Sequence, residues 1–126
     1  MTYSISEFSR LVQVSPSTLR YYEQEQLISP ERNENNIRRF TDADAEWVKF
    51  LLHLKNTGMS MDELKQYTCW RAMGDQTLED RKKLLEERKY VVEQELKHLQ
   101  ENLVVLDRKI AFYEDRLQGY DYEFVL

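Results

Sequence analysis

The chain is 126 residues long, enough for one modest core but not for two large ones. Charged residues make up 33% and hydrophobic ones 41%, with only 3 Gly and 2 Pro, a balance that fits a helix-rich chain with few loops. A net charge of −5 excludes a uniformly basic nucleic-acid binder, the single cysteine, Cys69, excludes an internal disulfide framework, and no apolar run reaches the ~20 residues that a membrane helix needs. Met1 to Val14 mixes polar and apolar residues and does not read as a signal peptide, so a cytoplasmic location and no membrane partner are expected.

The charge is unevenly spread. Residues 1–74 hold 9 Lys/Arg against 10 Asp/Glu, and residues 75–126 hold 9 against 13. The acidic excess lies in the C-terminal part. The N-terminal part is near neutral, with its arginines gathered in two short places, so any nucleic-acid face there is a local patch.

Helix starts are clearly marked. Ser4-Ile5-Ser6-Glu7 has the form of a capping box, and Ile5, Phe8 and Val12 follow at helical spacing. Ser15-Pro16 places a cap before a proline at the first helical position, with Leu19 and Tyr22 as the apolar positions of the second helix. Two short helices joined by a few residues, Gln13 and Val14 among them, predict a helix-turn-helix. From Pro30 to Phe40 no helical period survives. Asn33, Asn35 and Asn36 suit a turn, and Ile28, Ile37 and Phe40 flank it, which predicts a two-stranded hairpin, or wing. Thr41 and Asp44 open a third helix whose apolar face is read as Trp47, Phe50, Leu51 and Leu54, with Gly58 as its stop. Ser60 and Glu63 open a fourth, with Leu64 and Tyr67 inward and Gly74 at its end, and Thr77 and Asp80 open the last.

That last helix has no Pro or Gly before Gly119. Val92, Leu96, Leu99, Leu103, Leu106, Ile110, Tyr113 and Leu117 step alternately by four and three, a coiled-coil seam held for more than three heptads. Farther back, Leu85 and Leu78 alternate with Lys82 and Lys89, so that stretch is expected to pack on the N-terminal domain. No second helix of matching length exists in the chain, and the seam therefore requires another copy. The expected architecture is mainly α: a winged helix-turn-helix domain over residues 1–74, a dimerisation helix over 75–118, and a short tail over 119–126 to which no role is assigned.

On the second helix, Leu19 faces inward and leaves Ser17, Thr18, Arg20 and Tyr21 near the outer face, where the start of such a helix enters a major groove. One of Tyr21 and Tyr22 belongs to the core, and spacing does not decide which. Arg32, Arg38 and Arg39 on the wing, and Lys55 on the third helix, suit phosphate or minor-groove contact.

Taken together, Thr18-Leu19-Arg20-Tyr21-Tyr22-Glu23, Leu27-Ile28, the wing Pro30-Glu31-Arg32 through Arg38-Arg39-Phe40, and Leu54 through Met61 resemble the MerR family of transcription regulators. The resemblance covers nearly the whole chain. It implies that Ser17, Thr18, Arg20, Tyr22, Arg32 and Arg38 occupy DNA-contacting positions. It also implies a homodimer on a palindromic promoter operator in double-stranded DNA, held by an antiparallel coiled coil. Such a dimer bends and untwists the DNA and realigns promoter elements for RNA polymerase, which it thus influences indirectly. Where the family usually has Asn-Gly-Tyr in the wing, this chain has Asn35-Asn36-Ile37.

The effector is less marked. Metal-sensing members place a cysteine pair near the end of the coil; this chain has none there, and no metal or other cofactor is expected. Only the eight residues 119–126 follow the coil, so no ligand domain is expected after it. The Trp47–Phe50 region, the Lys55–Ser60 stretch and Gly74-Asp75 with Thr77 resemble the aldehyde- and thiol-stress regulators, which implies a stress response. Those keep a cysteine where this chain has His53. His53 and Cys69 are the two candidate sensors. Their plainer readings are a partly buried histidine and a small apolar side chain in a packing surface.

Two alternatives stand beside this reading: an effector-independent repressor of the same fold, and a coiled-coil adaptor that binds protein. An enzyme is not expected, because no phosphate loop, paired carboxylate site or nucleophile–base set is present. Glu86-Glu87 and similar pairs read as solvated helix faces.

Overall fold

The structure, a computed structural model, describes residues 1–119; the expected tail from Tyr120 to Leu126 lies outside the described residues. Four helices start on the caps read in the sequence. In α1 (Ile5–Val12), the Glu7 amide donates to Ser4 Oγ and the Ser4 amide donates to Glu7 Oε1. In α2 (Pro16–Gln24), Ser15 Oγ accepts from the Thr18 amide and Pro16 takes the first position. Thr41 with Asp44 caps α3 (Asp42–Asn56), and Ser60 with Glu63 caps α4 (Met61–Met73). Such a cap is worth about 1 kcal/mol. Gln13 takes the left-handed conformation at φ 58°, which ends α1 and turns the chain into α2 without a glycine.

The fifth start differs from the expectation. A 3-10 turn, Asp75–Thr77, precedes α5 (Leu78–Leu117). Thr77 does not cap α5 but is buried, with its hydroxyl donating to the Trp70 carbonyl at 2.5 Å and accepting from Arg81 Nε at 3.1 Å. The hydroxyl is thus used to tie the end of α4 to the first turn of α5.

The wing belongs to a three-stranded sheet rather than a two-stranded hairpin. Strands β2 (Glu31–Arg32) and β3 (Arg38–Thr41) pair antiparallel, Arg32 opposite Arg38, and β1 (Thr2–Tyr3) pairs with the other edge of β3. Ile28 and Ile37 lie outside the strands. Two residues are too few to show an alternating pattern, so β1 left no readable period. The Asn36 φ of 62° makes the wing turn, as the substitution for glycine requires.

The core of the first unit is Phe8, Leu19, Tyr22, Leu27, Phe40, Val48, Leu51 and their neighbours. Phe8 and Phe40 stack at 4.3 Å and 9°, which locks α1 onto the central strand. The buried face of α3 is Ala45, Val48, Leu51 and Leu54. This corrects the sequence reading: Trp47 is half-buried and Phe50 is 36% exposed, because both lie to one side of that stripe. They join Tyr67 in a separate aromatic cluster, and Trp47 Nε1 donates to the Leu27 carbonyl at 2.8 Å.

The chain divides into two units, Met1–Arg88 and residues 89 onward. The first turns of α5 pack on the N-terminal core through Leu84 and Leu85, as the break in the seam suggested. Arg88 Nη2 donates to Glu63 Oε1 at 3.2 Å, and Arg88 Nη1 reaches the Thr57 carbonyl at the end of α3. The second unit, over its described residues, is the rest of α5. None of its side chains is buried, and Leu96, Leu99, Leu103, Leu106, Ile110 and Tyr113 are each more than half exposed. No helix among the described residues is long and apolar enough to cross a membrane.

Candidate nucleic-acid interface

Helix α2 presents Ser17, Arg20, Tyr21 and Gln24 to solvent at steps of three, one and three, a single face of a helical turn and its successor. Arg20 makes no hydrogen bond among the described residues, and Tyr21 is 45% exposed. Thr18 is half-buried, with its hydroxyl engaged by Ser15 at 2.9 Å. Thr18 therefore serves the cap as well as the face. Gln24 was missed in the sequence, although its spacing from Ser17 and Tyr21 would have found it.

The choice between the tyrosines is settled. Tyr22 is buried at 3% exposure, and its ring belongs to the core. Its hydroxyl accepts from Lys55 Nζ at 3.3 Å, and the same ammonium lies 5.6 Å from the ring centroid. Tyr22 thus places Lys55 of α3 beside α2, and at most its hydroxyl edge is left for a ligand.

The wing arginines separate by strand alternation. Arg38 and Phe40 share one face of β3, while Arg39 and Thr41 share the other. Arg38 Nε donates to Glu23 Oε1 at 2.6 Å, and Arg32 Nη2 donates to Glu23 Oε2 at 3.1 Å. Arg39 instead donates to Thr2 Oγ1 from Nη2 at 2.9 Å and holds β1. Of the wing arginines expected to contact DNA, Arg32 and Arg38 thus come together at Glu23, while Arg39 lies on the opposite face of β3. Glu23, which pins the wing to α2, was quoted in the sequence as part of a motif but was given no role.

The two candidate sensors lie on different helices, His53 on α3 and Cys69 on α4. His53 is exposed, a correction to its expected partial burial: it sits about 200° around α3 from the inward Leu51. Cys69 is also exposed and so is not the packed small side chain of the plainer reading. Inward positions on α4 are taken by Leu64 and Tyr67. Arg71, the cation nearest Cys69 in sequence, lies 4.1 Å from the Trp47 ring centroid. Among the described residues no group of three or more His, Cys, Asp or Glu is placed to hold a metal ion.

The chain is similar to known regulators in sequence and fold. Residues 3–68 match the MerR HTH family regulatory protein family, and residues 45–109 match a second family described as MerR, DNA binding. An HTH-type transcriptional regulator of Haemophilus influenzae is 37% identical over 115 residues, covering 90% of this chain and 85% of that protein. The HTH-type transcriptional regulator AdhR of Bacillus subtilis is 35% identical over 92 residues, 71% of this chain and 66% of its own. The crystal structure of HiNmlR, a MerR family regulator lacking the sensor domain and bound to promoter DNA, superposes with a TM-score of 0.83 at 36% identity. That match covers 94% of this chain and 95% of HiNmlR. The chain belongs to the MerR family of helix-turn-helix transcription regulators. Its family is one of regulators, not enzymes.

Proposed function

We propose that this regulator acts as a homodimer that grips a palindromic promoter operator and controls transcription by distorting it. The observation that carries the reading is the set of cations around α2: Arg20 on its open face, Arg32 and Arg38 held against it from the wing, and Lys55 held against it by Tyr22. HiNmlR, similar over almost its whole length, was solved on promoter DNA. Ser17, Thr18 and Tyr21 supply hydroxyls to the same face, while Arg39, on the other side of β3, would reach DNA only beyond the edge of the wing. In this reading RNA polymerase responds to the realigned promoter, and the protein works beside the DNA in the cytoplasm.

Dimerisation is supported by the exposed seam of α5. In an antiparallel pair, seam positions oppose as Val92 with the partner's Leu117, Leu96 with the partner's Tyr113, Leu99 with the partner's Ile110, and Leu103 with the partner's Leu106. All eight residues find an apolar opposite in that one register. Beside them, Glu95 meets the partner's Arg116, while Glu93 meets the partner's Glu114; exposed pairs of this kind count for little, about 0–1 kcal/mol.

The signal in this reading is a stress-related small electrophile, for which the exposed Cys69 thiol is the reactive group. A second reading, regulation without an effector of its own, is favoured by the description of HiNmlR as lacking a sensor domain.

One experiment tests these layers: selection of duplexes from a random pool, followed by mapping of the bound promoters. Enrichment of a palindrome lying in an over-long promoter spacer is expected. No enrichment removes the DNA reading, and an ordinary spacer favours simple repression. Repeating the binding after thiol-reactive treatment separates the last two readings. A Cys69→Ser variant that still responds takes the thiol out of the mechanism.

A further inference from the structure

One carboxylate on α2 holds both wing arginines. Arg32 and Arg38 stand directly opposite each other across the β2–β3 pair, where two like charges repel. Glu23 bridges them: Oε1 accepts from Arg38 Nε at 2.6 Å, and Oε2 accepts from Arg32 Nη2 at 3.1 Å. Arg32 Nη1 also donates to the Asn36 carbonyl at 3.1 Å, inside a turn that Asn33 Oδ1 organises through the amides of Asn35 and Ile37. The carboxylate is 22% exposed and the Arg38 side chain 26%, so the pair is partly withdrawn from water. Arg38 uses only Nε here; its two Nη groups make no other hydrogen bond among the described residues and remain able to fork onto a phosphate.

We propose that Glu23 is a positioning residue for DNA recognition, which presets Arg32 and Arg38, and with them the angle of the wing to α2, before DNA arrives. This rests on the reading of α2 and the wing as the DNA face. Two effects of Glu23 oppose each other, and their signs differ in experiment. As a negative charge beside phosphates it repels DNA, so its removal alone would tighten binding. As a clamp it removes the ordering cost of two long side chains at the moment of binding, which is worth about tenfold in affinity or more. The clamp dominates for a matched site, where arginine geometry decides. The charge dominates for an unmatched duplex, where it does not.

The test is affinity of the full chain for two probes at several salt concentrations: the duplex that the unaltered protein selects from a random pool, and a scrambled duplex of equal length. Glu23→Gln is expected to weaken binding to the selected duplex about tenfold, and to leave the scrambled duplex equally or more tightly bound. Glu23→Asp, one methylene shorter, is expected to lie between and covers the case in which Glu23→Gln folds poorly. In a chain carrying Arg32→Ala and Arg38→Ala, Glu23→Gln is expected to weaken nothing further, whereas a purely structural role for Glu23 would persist there. Equal or tighter binding of the selected duplex by both Glu23 variants overturns the proposal. If the arginine variant binds as well as the unaltered chain, the DNA face is misassigned and both readings fall. If it binds weakly while the Glu23 variants do not, only the role of Glu23 falls.

Discussion

Residues 1–88 bury fifteen apolar side chains in one core, whereas the rest of α5 buries none and exposes an unbroken seam. The first unit satisfies its apolar surface within its own chain. Its short helices are held by caps, the Phe8–Phe40 stack and the Trp47 hydrogen bond to Leu27. The second unit satisfies only its backbone. A lone helix of that composition is marginal in water, and in the proposed dimer a second copy supplies what it lacks. The difference separates two kinds of failure: damage to the first unit should unfold it locally, while damage to the second should release a folded monomer.

The largest effect expected is at the seam. Leu99→Asp or Leu106→Asp places two carboxylates in each dimer interface, at a cost of at least about 5 kcal/mol. Sedimentation should show monomers, while the tryptophan signal of the first unit stays native; Trp47 and Trp70 both lie there. A surviving dimer would contradict the seam. The register is sharpened in a Cys69→Ser background. A mixture of Glu95→Cys and Arg116→Cys chains should form disulfide-linked dimers, and Glu95→Cys alone should not, because residue 95 and its copy stand roughly 30 Å apart in an antiparallel pair. Self-linking by Glu95→Cys would instead favour parallel helices.

Arg20→Ala comes next. Its guanidinium is exposed and has no partner among the described residues, so unfolding temperature should not move while affinity for the selected duplex falls by about 1–3 kcal/mol. A change in stability without a change in affinity would mean that Arg20 serves the fold of the first unit instead.

Much of this was legible in the sequence, for identifiable reasons. Capping boxes at Ser4, Thr41 and Ser60 fix helix starts through local hydrogen bonds, and local rules read them correctly. The seam of α5 was legible because it repeats. Features that depend on long-range contact were not. Strand β1 is two residues whose only signature is its pairing with β3. Thr77 looks like a cap, yet its hydroxyl is claimed by the Trp70 carbonyl. Trp47 and Phe50 look like core, yet Val48 holds the central position and they form a flank. Within the interface, the cations were visible by type and position, but the division of Arg38 from Arg39 and the double grip of Glu23 appear only once strand and helix are set side by side.

The smallest effect is expected in acid, and it concerns the first unit alone. The Ser60 amide donates to the Glu63 carboxylate at 3.0 Å, and this holds Glu63 below the usual carboxylate range; the Ser60 side chain and Arg88 add to the shift. Glu7 is lowered in the same way by Ser4. A carboxyl whose pKa is lower in the folded chain than in the unfolded one adds stability above the unfolded value and loses it as pH falls through the folded value. Unfolding followed by tryptophan fluorescence should therefore shift to lower temperature as pH drops below about 4.3. Glu63→Gln keeps an acceptor for the Ser60 amide but gives up the ion pair with Arg88. Its deficit at neutral pH should be on the order of a degree or two, because the pair is partly exposed, and should shrink in acid as Glu63 of the unaltered chain is protonated. A deficit that stayed constant from neutral pH into acid would show that the Arg88 pair contributes through packing rather than charge.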